Sequence, residues 1–481
     1  MVQAKREAYF SDDGLISRRI FFDPEIYREE LAQVFAKVWL FLGHESQIPE
    51  PGDYFTNYMG EDPVIVWRDP RGKVRVFLNT CRHRGMRICR TDFGTAKQFT
   101  CPFHGWTYSS EGKLVGVPFL EEAYFGDLDR GKWGLFEVPH VQSYGGLLFA
   151  NMDPDCMRLD EFLGDLCWYL DIYLSRALGS IQVLPGRQRY TCKTNWKIAS
   201  ENFAGDSYHL PYSHASLFRI DAPRLNPVSY QNSPNLYSVT TAHGHGLCGI
   251  SAAGERFAAD LELAKELGSE AIEYVEETQR RLEERLSKAQ AKVYTLAFGN
   301  VFPNFSLNNF SALRPFGFYL WHPKGPGAIE AWQWAGVDSE APQGIKDICR
   351  HEFQRQQAAA GVTGQDDTEN FEQVTEATRG VVGQSLDFNY QMGLGHEKEI
   401  KPPRHLPGKV GPYYSEQNQR NYYNYWAGLM GLTAAQKPGR AAGKAAARGA
   451  NGKTNGRTKG RAVVGPPRRG KAAKAKSGLR L

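Results

Sequence analysis

The sequence predicts an α+β protein in which a small all-β domain lies between helical and mixed segments, ahead of a disordered basic tail. Three observations predict it. From about residue 41 to 155, short β-rich runs are broken by Gly, Pro and Asp. On both sides of that stretch the pattern turns helical. From Lys437 to Leu481 there are fourteen Lys or Arg, no Asp or Glu and almost no large apolar side chain, a composition that cannot offset the entropy of ordering.

Taken in order, "DPEIYREELAQVFAKVWLF" reads as a helix with Asp23 as N-cap and Pro24 in the first turn. "DPVIVWRD", "KVRVFLNT", "AKQFTC", "WTYSSEGKLVGV" and "GGLLFANMD" read as the strands of the β domain. "DEFLGDLCWYLDIYLSRAL" returns to helix, and "IQVLPGRQRYTCKT" and "NLYSVTTAHGHG" read as strands. "SEAIEYVEETQRRLEERLSKAQAKV" is a long charged helix. "NVFPNFSLNNFSALRPFGFYLWHP" and "AIEAWQWAGV" are strand text, and "IKDICRHEFQRQQAAA" is the last clear helix. No internal repeat is present.

With 481 residues, 41% of them hydrophobic and 12% aromatic, the chain supports two or three domains and a large core without crosslinks. Its eight cysteines are too sparse for a disulfide framework, the opening "MVQAKREAYF" has no signal-peptide pattern, and no apolar run approaches a membrane span. A reducing cytoplasm is the expected location. The net charge of +5 comes from the tail: without its fourteen basic residues, 44 Lys and Arg face 53 Asp and Glu, a balance of −9. The tail is expected to be a solvated segment, with weak polyanion binding as the sharper reading.

Two pairs of Cys and His lie in the β domain. Cys81-x-His83 is followed after seventeen residues by Cys101-x-x-His104, beside Pro102, Gly105 and Trp106. Two sulfurs and two nitrogens would suit tetrahedral zinc, and a zinc-stabilised nucleic-acid-binding protein would also account for the basic tail. Zinc fingers, however, group Cys with Cys and His with His, whereas here each loop brings one of each. Such loops suit a two-iron cluster, each placing its Cys on one iron and its His on the other. The pattern resembles the Rieske [2Fe–2S] motif. Cys89, between the pairs, reads as packing. Arg82, Arg84, Arg87 and Arg90 crowd the first loop and offer a basic rim for an acidic electron donor.

A cluster that moves single electrons needs an acceptor. "SENFAGDSYHLPYSHAS" carries His209 and His214, with Pro211 between them to break the helix and let the rings converge. Asn202 and Asp206 share the helical face before the break. Two histidines and one carboxylate make the facial triad of a non-haem Fe(II) oxygenase. The carboxylate comes from "TGQDDTENFEQ", where Asp366, Asp367, Glu369 and Glu372 are equal in chemistry. Gly244, Gly246 and Gly249 spell G-x-G-x-x-G, but no βαβ unit surrounds them, so they are expected to form a turn near a substrate channel rather than a dinucleotide loop.

Over roughly residues 10–430 the chain resembles the large (α) subunit of Rieske aromatic-ring-hydroxylating oxygenases, such as the naphthalene, biphenyl and benzoate dioxygenases. The resemblance implies a Rieske domain inserted in a catalytic domain of antiparallel sheet plus helices. The expected boundaries are 1–40 for the N-terminal part of the catalytic domain, 41–155 for the Rieske domain, 156–433 for the mononuclear iron domain and 434–481 for the tail. It implies Asp367 as the third iron ligand, and Asp206 as a bridge from His209 to His104 of the partner subunit. It implies one [2Fe–2S] cluster and one mononuclear Fe(II) per chain and no flavin or NAD. NADH electrons would arrive through a reductase, ferredoxin or both, and the assembly would be α3 or α3β3. Asn202, Phe203, Phe298, Leu307 and Asn308 are the pocket residues it implies. The implied reaction is dihydroxylation of an arene to a cis-dihydrodiol, with monooxygenation or demethylation on the same architecture as the alternative. The apolar "TLAFGNVF" favours an uncharged arene, and Arg314 is expected at the surface unless it turns inward to pair a carboxylate.

Overall fold

The segment that precedes the β domain is built into the elements that follow it. In the computed structural model, which describes residues 13–220, 236–251, 255–293, 296–397, 401 and 403–432, strand Leu15–Ser17 pairs antiparallel with Asp387–Asn389. The basic tail and residues 1–12 lie outside the described residues. Asp23 caps helix Pro24–Glu30 by accepting from the Glu25 amide at 2.8 Å, and Pro24 takes the first turn, where its missing N–H costs nothing. Glu30 is completely buried and receives Lys197 Nζ at 2.5 Å, Trp196 Nε1 at 2.8 Å and Trp426 Nε1 at 2.9 Å. One carboxylate thus ties the N-terminal helix to helices Trp196–Gly205 and Gln417–Leu429.

Between these anchors sits the β domain. A four-stranded sheet runs Val74–Leu78, Asp62–Arg68, Asp53–Met59, Phe93–Thr95, and a three-stranded one runs Gln98–Thr100, Thr107–Ser109, Leu114–Gly116. Their shared core (Ile65, Trp67, Phe77, Phe99, Trp106 and Tyr108 among others) includes Cys81, Cys89 and Cys101. A third sheet, His140–Tyr144, Leu147–Asn151, Leu40–His44, returns the chain to its starting point. The rest is organised on an antiparallel sheet of nine strands. Ile329–Asp338, Phe316–Pro323, Phe305–Asn309, Leu296–Val301, Gly246–Ser251, Leu236–Thr240 and Lys409–Pro412 follow one another, and both Ile181–Val183 and Gln188–Cys192 pair with Ile329–Asp338. The α+β architecture with an inserted β domain is therefore the observed one.

Two expectations are corrected. "IKDICRHEFQRQQAAA", helical from Gln343, is not the last helix: Val362–Thr378 and Gln417–Leu429 follow it. Val362–Thr378 buries only Gly364, Phe371, Thr375 and Thr378, so its apolar stripe is too thin to register as a period. The G-x-G-x-x-G is a hairpin turn and strand of the antiparallel sheet, as its lack of a βαβ setting implied, but it does not line the cavity described below. Gly246 is needed because a Cβ there would strike the Ala204 carbonyl of helix Trp196–Gly205.

Candidate metal centres

The two cluster loops are built alike despite their different Cys–His spacing. In each, the Cys amide donates to the carbonyl five residues on (Met86 O at 2.8 Å, Trp106 O at 2.7 Å) and a glycine amide four residues on donates back to the Cys carbonyl (Gly85 at 2.8 Å, Gly105 at 3.0 Å). Gly85 and Gly105 have φ of 72° and 74°, the left-handed conformation that closes such a loop and disfavours a side chain. Cys81 and Cys101 are buried, while the rings of His83 and His104 stand at the rim with centroids 4.5 Å apart. His83 also stacks on Trp106 at 5.0 Å, and its buried Nδ1 has no hydrogen-bond partner. Tyr108 Oη accepts from the Arg82 amide at 3.1 Å, leaving its proton for Cys81 Sγ at 3.3 Å. Asn79 staples the first loop, accepting from the Ile88 and Cys89 amides at 3.0 and 2.8 Å and donating to Cys89 O at 2.7 Å. The Cys89 thiol meets Thr91. Arg82, Arg84, Arg87 and Arg90 are all exposed; Arg82 donates to Gly134 O and Arg87 to Tyr58 Oη.

The second constellation rests on helix Trp196–Gly205. It starts at Asn195, whose side chain accepts from the Lys197 amide, and ends at Asp206. His209 opens the short helix Leu210–Ser213 and His214 closes it. The break therefore falls at Asp206–His209, ahead of Pro211, which sits in the first turn of the next helix rather than at the kink expected of it. Asp367 arrives from helix Val362–Thr378. Among the described residues only His209, His214 and Asp367 bring three such ligand atoms within 4.8 Å of one another. His209 Nε2 and His214 Nε2 are 3.2 Å apart, and Asp367 Oδ1 lies 3.4 and 3.3 Å from them. That near-equilateral triangle accommodates an ion about 2 Å from each atom. Asp367 Oδ1 is buried and makes no properly directed hydrogen bond, as expected of an atom reserved for a cation.

The outer ring atoms are also held. Asp366 Oδ2 lies 3.2 Å from His214 Nδ1, so the first Asp of the pair orients a histidine while the second faces the centre. Asp206 Oδ2 lies 3.5 Å and Asn202 Nδ2 3.4 Å from His209 Nδ1. Burial opposes charge on His209, but Asp206 and Asp367 outweigh it and raise its imidazole to about 10. Burial likewise opposes the Asp367 anion, and the two histidines hold it at about 2. Both shifts say that the centre attracts positive charge. Glu372 accepts from the Lys193 amide and Glu369 from Gln373, so neither is turned to this centre.

The triad opens on a cavity of about 650 Å³. Asn202, Phe203, Phe298 and Asn308 line it. Leu307 does not: strand parity turns it to the opposite, completely buried face, into the core. Arg314 is on the cavity wall rather than the outer surface, paired with Glu352. Tyr190, Tyr319, Trp321, Gln333, Gln357 and Phe371 also line the cavity and were not singled out from sequence; strand alternation through "FGFYLWHP" and "AIEAWQWAGV" carried that signal for three of them.

Residues 38–144 match the family model of the Rieske [2Fe-2S] domain, and residues 182–431 that of the ring hydroxylating alpha subunit catalytic domain. The biphenyl 2,3-dioxygenase alpha subunit of Rhodococcus jostii (strain RHA1) is 38% identical over 424 residues, covering 87% of this chain and 89% of its own. The N,N-dimethyl phenylurea N-demethylase alpha subunit of Sphingobium sp. (strain YBL2) is 32% identical over 441 residues, covering 86% and 91%. The crystal structure of naphthalene 1,2-dioxygenase from Rhodococcus sp. bound to indole superposes with a TM-score of 0.77 at 37% identity, covering 89% of this chain and 96% of that one.

Proposed function

Because the chain belongs to the family of Rieske aromatic-ring-hydroxylating oxygenase alpha subunits, we propose that it dihydroxylates an uncharged arene to a cis-dihydrodiol in a multicomponent dioxygenase. The observation that carries the reading is the His209–His214–Asp367 triangle in the lining of a cavity rich in aromatic side chains, in a chain that also carries Rieske loops. The family's cofactors are a [2Fe–2S] cluster and a mononuclear non-haem iron, which when bound supply electrons and the centre for O2 activation.

The chain's own side chains do the rest. Cys81 and Cys101 would hold one iron of the cluster and His83 and His104 the other, with the Tyr108 hydroxyl donating to the Cys81 sulfur. His209, His214 and Asp367 would take one face of the mononuclear iron and leave the cavity side open. Asp366 fixes the orientation of the His214 imidazole and Asp206 that of His209, each facing the outer ring nitrogen. Phe203, Phe298, Tyr319 and Trp321 line the cavity with aromatic side chains that would pack on a flat substrate and exclude water. Asp206, 36% exposed at the helix end, would accept from His209 and from the partner subunit's His104, so that electrons pass between chains of an α3 or α3β3 assembly. An acidic ferredoxin or reductase would approach the arginine-rich loop 82–90.

Arg314 is committed to Glu352, which favours an uncharged substrate over an aromatic carboxylate. The demethylase relative favours a second reading, oxidative removal of an N-methyl group on the same machinery. The purified protein, supplied with a reductase, ferredoxin and a panel of arenes and N-methyl anilides, separates the two. The dioxygenase reading expects vicinal cis-diols; formaldehyde with demethylated product and no diol would replace it.

A further inference from the structure

One wall of the cavity is not a hydrocarbon surface. Asn308, Tyr319 and Gln333 sit on three successive strands and point to the same face: Tyr319 is opposite Gln333, and Asn308 is diagonal to Tyr319. All three are less than 5% exposed. Opposite Asn308 is Gly317, where any Cβ would collide with Asn308 Oδ1, so the sequence keeps room for that amide head. Asn308 Nδ2 donates to Tyr319 Oη at 3.1 Å, and Tyr319 donates onward to Gln357 Oε1 at 2.8 Å. Gln333 Nε2 donates to Tyr190 Oη at 3.2 Å. These bonds engage one N–H of each amide and the Tyr319 hydroxyl, while Asn308 Oδ1 and Gln333 Oε1 stay buried without a hydrogen-bond partner in the protein. A buried carbonyl oxygen left unpaired is a standing cost, and a site that keeps two of them beside its ligand has a donor to receive.

Resting on the arene-oxygenase reading, we propose that Asn308 and Gln333 are specificity-determining residues, and that the preferred substrate is an uncharged arene bearing an N–H or O–H donor. The apolar walls from Phe203, Phe298, Leu217 and Leu263 hold the rings, and the row receives the donor, fixing which ring edge is turned to His209, His214 and Asp367. A site with hydrogen-bonding groups in place discriminates against an analogue that lacks the matching group, because the site's own polar atoms then stay unpaired.

The test is equilibrium dialysis of the anaerobic holoenzyme with carbazole, fluorene and dibenzofuran, three tricycles of one shape with N–H, CH2 and an acceptor oxygen at the same position. Carbazole is expected to bind about tenfold tighter than either of the others. Asn308→Leu and Gln333→Leu are each expected to erode that preference while fluorene still binds. Equal dissociation constants, or tighter binding of dibenzofuran, would overturn the proposal and leave the arene reading standing. Failure of all three to bind would remove the arene reading and the proposal with it. The wild-type comparison decides the matter even where a variant does not fold.

Discussion

Asp367 holds a charge in a buried place between two imidazoles, a donor set that suits a cation at its centre. Asp367→Ala is therefore expected to lose the mononuclear iron and turnover while keeping the Rieske EPR signal. Metal analysis and EPR of one preparation check this; full iron retention would move the site elsewhere. Asp206 asks for a different outcome. Its carboxylate reaches the outer ring nitrogen and the backbone amide of His209 but not the centre, so Asp206→Ala is expected to keep both metals and to lose about 10–100-fold in turnover. Normal multiple-turnover rates in a fully metallated variant would remove the route between subunits. At this scale the Cys–His pairs and the two later histidines stood out in the sequence because their spacing is itself the chemistry. The carboxylate was not. Asp366 and Asp367 differ only by about 100° of helix rotation, which places one on an outer nitrogen of His214 and the other at the centre. Residue-by-residue resemblance chose Asp367, and the same resemblance misplaced Leu307, whose strand parity could not be read from "NFSLNN".

Among elements, helix Trp196–Gly205 bears most of the site, since Asn202, Phe203 and the turn to His209 all depend on it. Its anchor is Lys197, fully buried against Glu30. Replacing one partner of such a pair leaves the other as an uncompensated charge, so Lys197→Met is expected to cost about 3–5 kcal/mol. Denaturant unfolding monitored by tryptophan fluorescence measures it, and a loss below about 1 kcal/mol would show that Glu30 does not need its partner. Strands with strong alternation and helices with caps, such as Asp23–Pro24, could be read directly. Val362–Thr378 could not, because it buries only Gly364, Phe371, Thr375 and Thr378 and its surface is almost all polar. The pairing of Leu15–Ser17 with Asp387–Asn389 joins segments hundreds of residues apart, and no local pattern announces such a contact.

For the whole molecule, the chain ahead of the tail is net acidic in sequence, while loop 82–90 exposes Arg82, Arg84, Arg87 and Arg90. If that loop is where an acidic ferredoxin arrives, the rate of cluster reduction at limiting ferredoxin is expected to fall steeply between low and physiological ionic strength. Stopped-flow absorbance reads it, and a salt-independent rate would place docking elsewhere. The division into β domain, mixed body and basic tail was visible as texture alone, whereas the insertion of one domain into the other came from resemblance, because it is a property of distant contacts. No helix among the described residues is long and apolar enough to cross a membrane. The central claim is that one chain carries a cluster and an iron that together place both atoms of O2 on an arene. It is tested most directly by exposing fully reduced oxygenase and arene, without reductase, to an equal mixture of 16O2 and 18O2 and recording the product's mass spectrum. The account predicts diol carrying two 16O or two 18O atoms, formed as the cluster is oxidised. Product with mixed or single labels, or a cluster that stays reduced while product forms, would contradict it.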